Sequence, residues 1–199
     1  MDRIGIIGGT GLVSINLESE HKSELESRGF KVIRTDEVLA QTEFGSVPLK
    51  CTSIDVNGST KELIFLQRHH NNGSANKPPH MINHKANLKA LQNSNCDVII
   101  SVCSIGAIVS DLPPGKVVLA GQYIDFTGVA TSFNDTFAVF TSVTEPFSSE
   151  LNSLLEVCLR KSQSFSDAEK MYYTYWLAQG PHFETRAEVD AIDKLGGEM

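Results

Sequence analysis

The chain has 199 residues, 41% hydrophobic and 21% charged, which suits an ordinary globular protein able to bury a core without disulfides or structural metals. Its 17 basic residues against 24 acidic ones give a net charge of −7, which argues against a nucleic-acid backbone binder yet leaves room for a local pocket around a small anion. No apolar run reaches the roughly 18 residues of a membrane helix, and Met1–Ile7 lacks the basic patch and long apolar stretch of a secretion signal, so no membrane contact is expected.

Ile4–Gly8 reads as a short apolar strand running into Gly8-Gly9-Thr10-Gly11. Leu49–Val56 and Lys61–Arg68 read as strands, and Asn57-Gly58-Ser59 between them is a hairpin signal. Gly73–His80 contains Pro78-Pro79 and is expected to be irregular. Met81–Asn93 has helical spacing, with Ile82, Ala86, Leu88 and Leu91 as its apolar positions. Val98–Val102 is a β-branched run, expected to be a strand covered on both faces.

Pro113-Pro114-Gly115 turns the chain into a strand at Val117–Ala120, and Phe137–Thr141 suggests another. Glu150–Lys161 reads as a helix with Leu151, Leu154, Leu155 and Cys158 on one face. Met171–Leu177 is a strand candidate, and Glu184–Leu195 a polar helix with Ala187, Ala191 and Leu195 at helical spacing. No repeat or linker divides the chain, so one domain over 1–199 is expected. The fold class is α/β, a mixed β-sheet flanked by helices.

Cys51, Cys96, Cys103 and Cys158 form no CxxC pair, which disfavours a thiolate zinc site, and Cys96 and Cys103 are expected to be buried core thiols. With the missing signal this suggests a reducing, cytoplasmic setting. His69, His70, His80 and His84 fit no common zinc spacing, so no metal is expected.

Three segments carry chemistry. The glycines of Gly8–Gly11 let backbone N–H groups approach an anion, and Thr10 adds a hydroxyl; the alternative is a plain tight turn. Arg68-His69 ends a strand, where an arginine can fork two donors onto a phosphate; the alternative is an exposed basic strand end. In Gly180-Pro181-His182-Phe183-Glu184-Thr185, Phe183 offers a stacking face and Glu184 an acceptor for a flat heteroaromatic ligand. The alternative there is a helix start, with Thr185 or Glu184 near the cap and Phe183 packed into the core.

Taken in order, Ile4–Leu12, Arg68-His69, Pro78-Pro79-His80, Asn83, Ala86-Asn87 and Gly180–Glu188 resemble the 5'-methylthioadenosine phosphorylase branch of the trimeric purine nucleoside phosphorylases. The resemblance runs from residue 4 to 199. It implies a phosphorylase/hydrolase-like α/β fold and a homotrimer that takes a purine nucleoside and inorganic phosphate as substrates, without a cofactor or metal. By motif, Thr10, Arg68 and His69 match the phosphate binders, and Cys103 and Ser104 match a strand end touching phosphate and ribose. Phe183 matches the residue packed on the purine, and Glu184 the carboxylate that bonds the base.

The sequence departs from the family pattern in four places. Thr or Asn followed by Ala is usual where Cys103-Ser104 stands. Glu184 replaces a small residue typical of methylthioadenosine phosphorylases, which leans toward a 6-oxopurine. The loop Asn71–Lys77 is about two residues longer and lacks the usual His. The family continues beyond the segment matching Leu195–Met199, so the chain is expected to lack the family's C-terminal part, including the group that contacts purine N7; no catalytic residue is therefore assigned. A catalytically impaired nucleoside- or phosphate-binding relative stays open. So does a dinucleotide-dependent oxidoreductase, with Asp36 or Glu37 as its acidic residue, although that reading leaves the later motifs unexplained.

Overall fold

A computed structural model of the chain describes residues 2–17, 22–71, 76–129, 132–163, 165–166 and 168–199. The chain divides into two compact units, Met1–Ser104 and Ile105–Met199.

The first unit is built on a five-stranded mixed sheet. Its strands are β1 (Arg3–Gly8), β2 (Phe30–Thr42), β3 (Gly45–Val56), β4 (Ser59–Gln67) and β5 (Val98–Val102), in the order β2-β3-β4-β1-β5. Antiparallel pairing joins β2 to β3 and β3 to β4, while β1 lies parallel to both β4 and β5. The β3–β4 turn is the two-residue hairpin that Asn57-Gly58 predicts: both residues have positive φ, 52° and 83°, as the strand twist demands. Nothing in the sequence announces the long strand β2, which is largely exposed and mixes charged with apolar residues without alternation, or the short helix α1 (Lys22–Ser27), which buries none of its residues.

Helix α2 (His84–Asn93) follows a 3₁₀ turn at Pro79–Met81. Asn83 caps it, its side chain accepting from the Ala86 N–H at 3.0 Å, so the helix starts later than Met81. Ala86, Asn87, Ala90 and Leu91 face inward. Leu88 does not: it is 40% exposed, because position 87 rather than 88 continues the buried stripe. The core joins Ala86, Ala90 and Leu91 to Val47, Leu49, Ile64 and Leu66, with Cys51 and Cys96 packed against it. Burial pushes both thiols up from their ordinary range. Leu91 is wholly buried, so Leu91→Ala is expected to cost about 2–5 kcal/mol, read as a lower urea midpoint at an unchanged slope.

Two expectations for β5 need correction. It is the edge strand of this sheet, and Ile99 is exposed rather than covered on both faces. Cys103, just past its end, is exposed and not a core thiol, since the chain has already left the sheet there.

The second unit pairs β6 (Leu119–Ile124) in parallel with β7 (Tyr172–Trp176). Helix α3 (Ser149–Gln163) is tied to the chain around β6: Gln163 donates to the Val117 carbonyl at 2.9 Å and accepts from its N–H at 2.8 Å. Its inward side carries Leu151, Leu155 and Leu159, whereas Leu154 and Cys158 are exposed, contrary to the expected face. Glu198 and Met199 run beside β7, with Glu198 N–H on Thr174 O at 2.9 Å and Trp176 N–H on Met199 O at 2.7 Å. Leu112, Tyr173 and Met199 form the core here.

Phe137–Thr141 is not a strand. Its alternation is strand-like, but among the described residues no neighbour pairs with it, and Phe140 is 97% exposed. Helix α4 (Arg186–Lys194) buries Ile192 and leaves Ala187, Ala191 and Leu195 exposed, so its inner face is one residue off the expected stripe. No helix among the described residues is long and apolar enough to cross a membrane.

Candidate active site

In the first unit, register decides which residues meet. Gly8 is paired with Gln67 on one side and with Val102 on the other. The three segments that follow, Gly9–Leu12, Arg68-His69 and Cys103-Ser104, therefore leave the sheet side by side, at the carboxyl ends of adjacent parallel strands. Open α/β sheets place their ligands at such ends.

The Gly9–Leu12 turn closes through Leu12 N–H on Gly9 O at 3.1 Å, while Gly9 N–H bonds the Val102 carbonyl at 3.1 Å. Thr10 lies exposed in the turn. A Cβ on Gly9 would stand 2.9–3.0 Å from Nη1, Cζ and Nη2 of Arg68, so the guanidinium packs flat on this glycine. A Cβ on Gly11 would overlap the Ser104 hydroxyl. Arg68 and Ser104 thus flank the Gly9–Gly11 turn that carries Thr10, with Cys103 next to Ser104 at the exposed strand end. The arrangement offers an anion a fork of N–H donors, two hydroxyls and a backbone turn.

His69 is 3% exposed. Arg68 Nε–H donates to its Nε2 at 3.2 Å, and its Nδ1 meets the Lys77 carbonyl at 3.0 Å. An arginine N–H can only donate, so Nε2 is the bare nitrogen and Nδ1 carries the proton. His84, at the start of α2, is pushed below its ordinary range first by partial desolvation and then by the charge of Arg68. The loop Asn71–Lys77 falls largely on residues 72–75, outside the described residues. Among the described residues no three His, Cys, Asp or Glu side chains are grouped to hold a metal.

In the second unit, Gly180–Thr185 leads into α4. Thr185 caps the helix in a reciprocal box: its hydroxyl accepts from Glu188 N–H at 3.2 Å, and Glu188 Oε2 accepts from Thr185 N–H at 2.7 Å. Those backbone bonds hold the Glu188 carboxyl below its usual range. Thr185, not Glu184, is the cap, which leaves Glu184 exposed as an acceptor. Phe183 is 95% exposed, so it does not pack into the core and its ring faces are bare.

The phosphorylase superfamily profile matches residues 3–199 of this chain. The chain belongs to the phosphorylase superfamily. Among its curated relatives in this superfamily, a probable S-methyl-5'-thioinosine phosphorylase of Thermodesulfovibrio yellowstonii is 31% identical, covering 99% of this chain and 67% of the relative. A probable 6-oxopurine nucleoside phosphorylase of Thermococcus kodakarensis is 30% identical over 100% of this chain and 69% of its own length. The S-methyl-5'-thioadenosine phosphorylase of Thermofilum pendens is 30% identical over 99% and 68%. This superfamily member thus spans about two thirds of the length of these relatives. Among solved structures, a methylthioadenosine phosphorylase from an antarctic soil metagenomic library superposes with a TM-score of 0.76 at 25% identity, covering 98% of this chain and 62% of that one. The mixed sheet flanked by helices is therefore the fold expected from the sequence, and the family is the one the ordered motifs resemble.

Proposed function

We propose that the protein cleaves the N-glycosidic bond of a purine nucleoside by phosphorolysis. A phosphate oxygen bonds to C1' as the C1'–N9 bond breaks, the bond pair leaves with the purine, and the purine takes up, by way of solvent, the proton that the attacking hydrogen phosphate gives up; the products are free purine and a ribose 1-phosphate or its 5'-methylthio analogue. The observation that carries this reading is the convergence of the Gly9–Leu12 turn, Arg68 and Cys103-Ser104 at the ends of β1, β4 and β5. Such cleavage passes through an oxocarbenium-like state, so an anion fixed near C1' stabilises it by position and by charge. Thr10, Arg68, His69, Cys103 and Ser104 form the phosphate locus in this reading, and Ser104 also serves the ribose. Inorganic phosphate is a co-substrate, and no cofactor or metal takes part. The test is purine release from methylthioadenosine, methylthioinosine, adenosine and inosine with and without phosphate. Release that ignores phosphate defeats the proposal; binding without turnover supports the impaired relative instead.

Phe183 and Glu184 take the base in this reading. A carboxylate only accepts, and a 6-oxopurine presents N1–H where adenine presents a lone pair. An unmatched acceptor pair costs about 1–3 kcal/mol, so inosine-type nucleosides are expected to outperform adenosine-type ones by roughly tenfold or more. Glu184→Gln is expected to narrow that gap, since an amide can turn a donor toward adenine N1. An adenine preference that survives Glu184→Gln would remove Glu184 from base selection. The names of the two relatives above that specify thioinosine or 6-oxopurine are consistent with this choice. Assembly as a homotrimer, checked by sedimentation equilibrium, and a cytoplasmic location in keeping with the free cysteines complete the proposal.

A further inference from the structure

Arg68 is held at three points. Its N–H bonds the Gly8 carbonyl at 3.0 Å, which carries the β1–β4 pairing one residue past the strand. Its carbonyl accepts from Asn87 Nδ2 at 3.3 Å. Its side-chain Nε–H rests on His69 Nε2. The donor and acceptor roles leave no freedom. A carbonyl can only accept, so Asn87 must turn its NH₂ toward Arg68 and its Oδ1 toward His70 Nε2, 2.9 Å away. Asn87 is 3% exposed and has both amide ends engaged. His69, in turn, spends its bare nitrogen on Arg68 and its N–H on Lys77, and Lys77 N–H bonds back to the His69 carbonyl at 2.8 Å.

We infer that Asn87 and His69 are positioning residues that preset the Arg68 guanidinium against Gly9, so that both act on a bound phosphate through Arg68, whatever else His69 offers the phosphate locus. The inference rests on the phosphorolysis reading for the identity of the anion. An arginine already fixed loses less rotamer freedom on gripping its ligand, so the two tethers raise affinity without contacting the anion. Asn87 lies on α2, so the helix that fills the core also sets the strand-end arginine.

Two measurements on the full chain test this. The first needs no anion: solvent exchange of the Arg68 Nε–H, followed by nitrogen-edited NMR. It is expected to be slow in the parent, at least tenfold faster in His69→Leu and Asn87→Leu, and slow again in His69→Gln, whose Oε1 replaces the accepting nitrogen. The second is phosphate titration calorimetry. His69→Leu and Asn87→Leu are expected to weaken phosphate by about tenfold or more while leaving purine affinity within twofold, a split that general loosening would not give. If Asn87→Leu does not fold, Asn87→Asp replaces it, keeping the volume and the His70 acceptor but losing the donor to Arg68. Unchanged exchange, or phosphate and purine affinity falling together, overturns the inference. A parent chain that binds no phosphate defeats the proposed function instead, and the exchange measurement still decides the positioning.

Discussion

Arg68→Ala is expected to lower phosphate affinity, and with it phosphate-dependent purine release, by about 100- to 1000-fold, equivalent to about 3–4 kcal/mol. Among the described residues of the first unit, Arg68 is the guanidinium seated on the Gly9 turn, and the groups placed with it at the strand ends are hydroxyls, a thiol and the His69 imidazole. None of these can replace two parallel charge-assisted bonds. Lysine at this position restores charge but not the fork, so Arg68→Lys should recover only part of the loss. Calorimetric titration with phosphate measures both variants. An Arg68→Ala protein that binds phosphate as tightly as the parent would remove Arg68 from the site.

The second large effect is expected at Gly8, and it concerns stability. A Cβ there would overlap the Leu12 carbonyl oxygen and stand 2.8 Å from the Phe65 ring. One obstacle is backbone and the other a buried ring, so neither yields cheaply. Gly8→Ala should therefore cost at least the upper part of the about 1–3 kcal/mol typical of overpacking, with a matching fall in the urea midpoint. Gly58→Ala is the control. Its Cβ would meet open space, and only the positive φ of 83° resists it, so its cost should be smaller, about 1 kcal/mol. Equal losses in the two variants would show that the turn after β1 adapts to a methyl group.

Much of this frame was legible in the residues. Asn57-Gly58 fixed the hairpin, the apolar run at Ile4 fixed β1, and the motif order fixed the family. What escaped has common physical causes. Strand β2 carries no alternation because little of it is buried. On α2 the inner stripe passes through the polar Asn87, which apolar spacing leaves out, while on α3 and α4 apolar residues stand on more than one side, so spacing alone does not single out the inward one. The Asn87 amide is buried because Arg68 and His70 satisfy both of its ends, a pairing that exists only in the folded chain. Glycines at Gly8–Gly11 make room for an anion by their spacing. The structure adds that Gly9 also makes room for Arg68, a steric reason that spacing alone does not carry.

The place of β1 in the sheet bears on the order in which the protein is made. It is the earliest strand among the described residues, and both its neighbours come later, residues 62–67 on one side and 98–102 on the other. The hairpins β2–β3 and β3–β4, by contrast, close over short loops. On a growing chain the three antiparallel strands can assemble among themselves, while the segment that ends in the glycine turn waits for about a hundred residues of synthesis before its last partner exists. Such long-range parallel pairing is slow, and it leaves an apolar strand unpaired in the meantime. The segment that opens the candidate site is thus the one most in need of protection during synthesis, and slowing translation before residue 98 should expose it to aggregation more than slowing translation after residue 102.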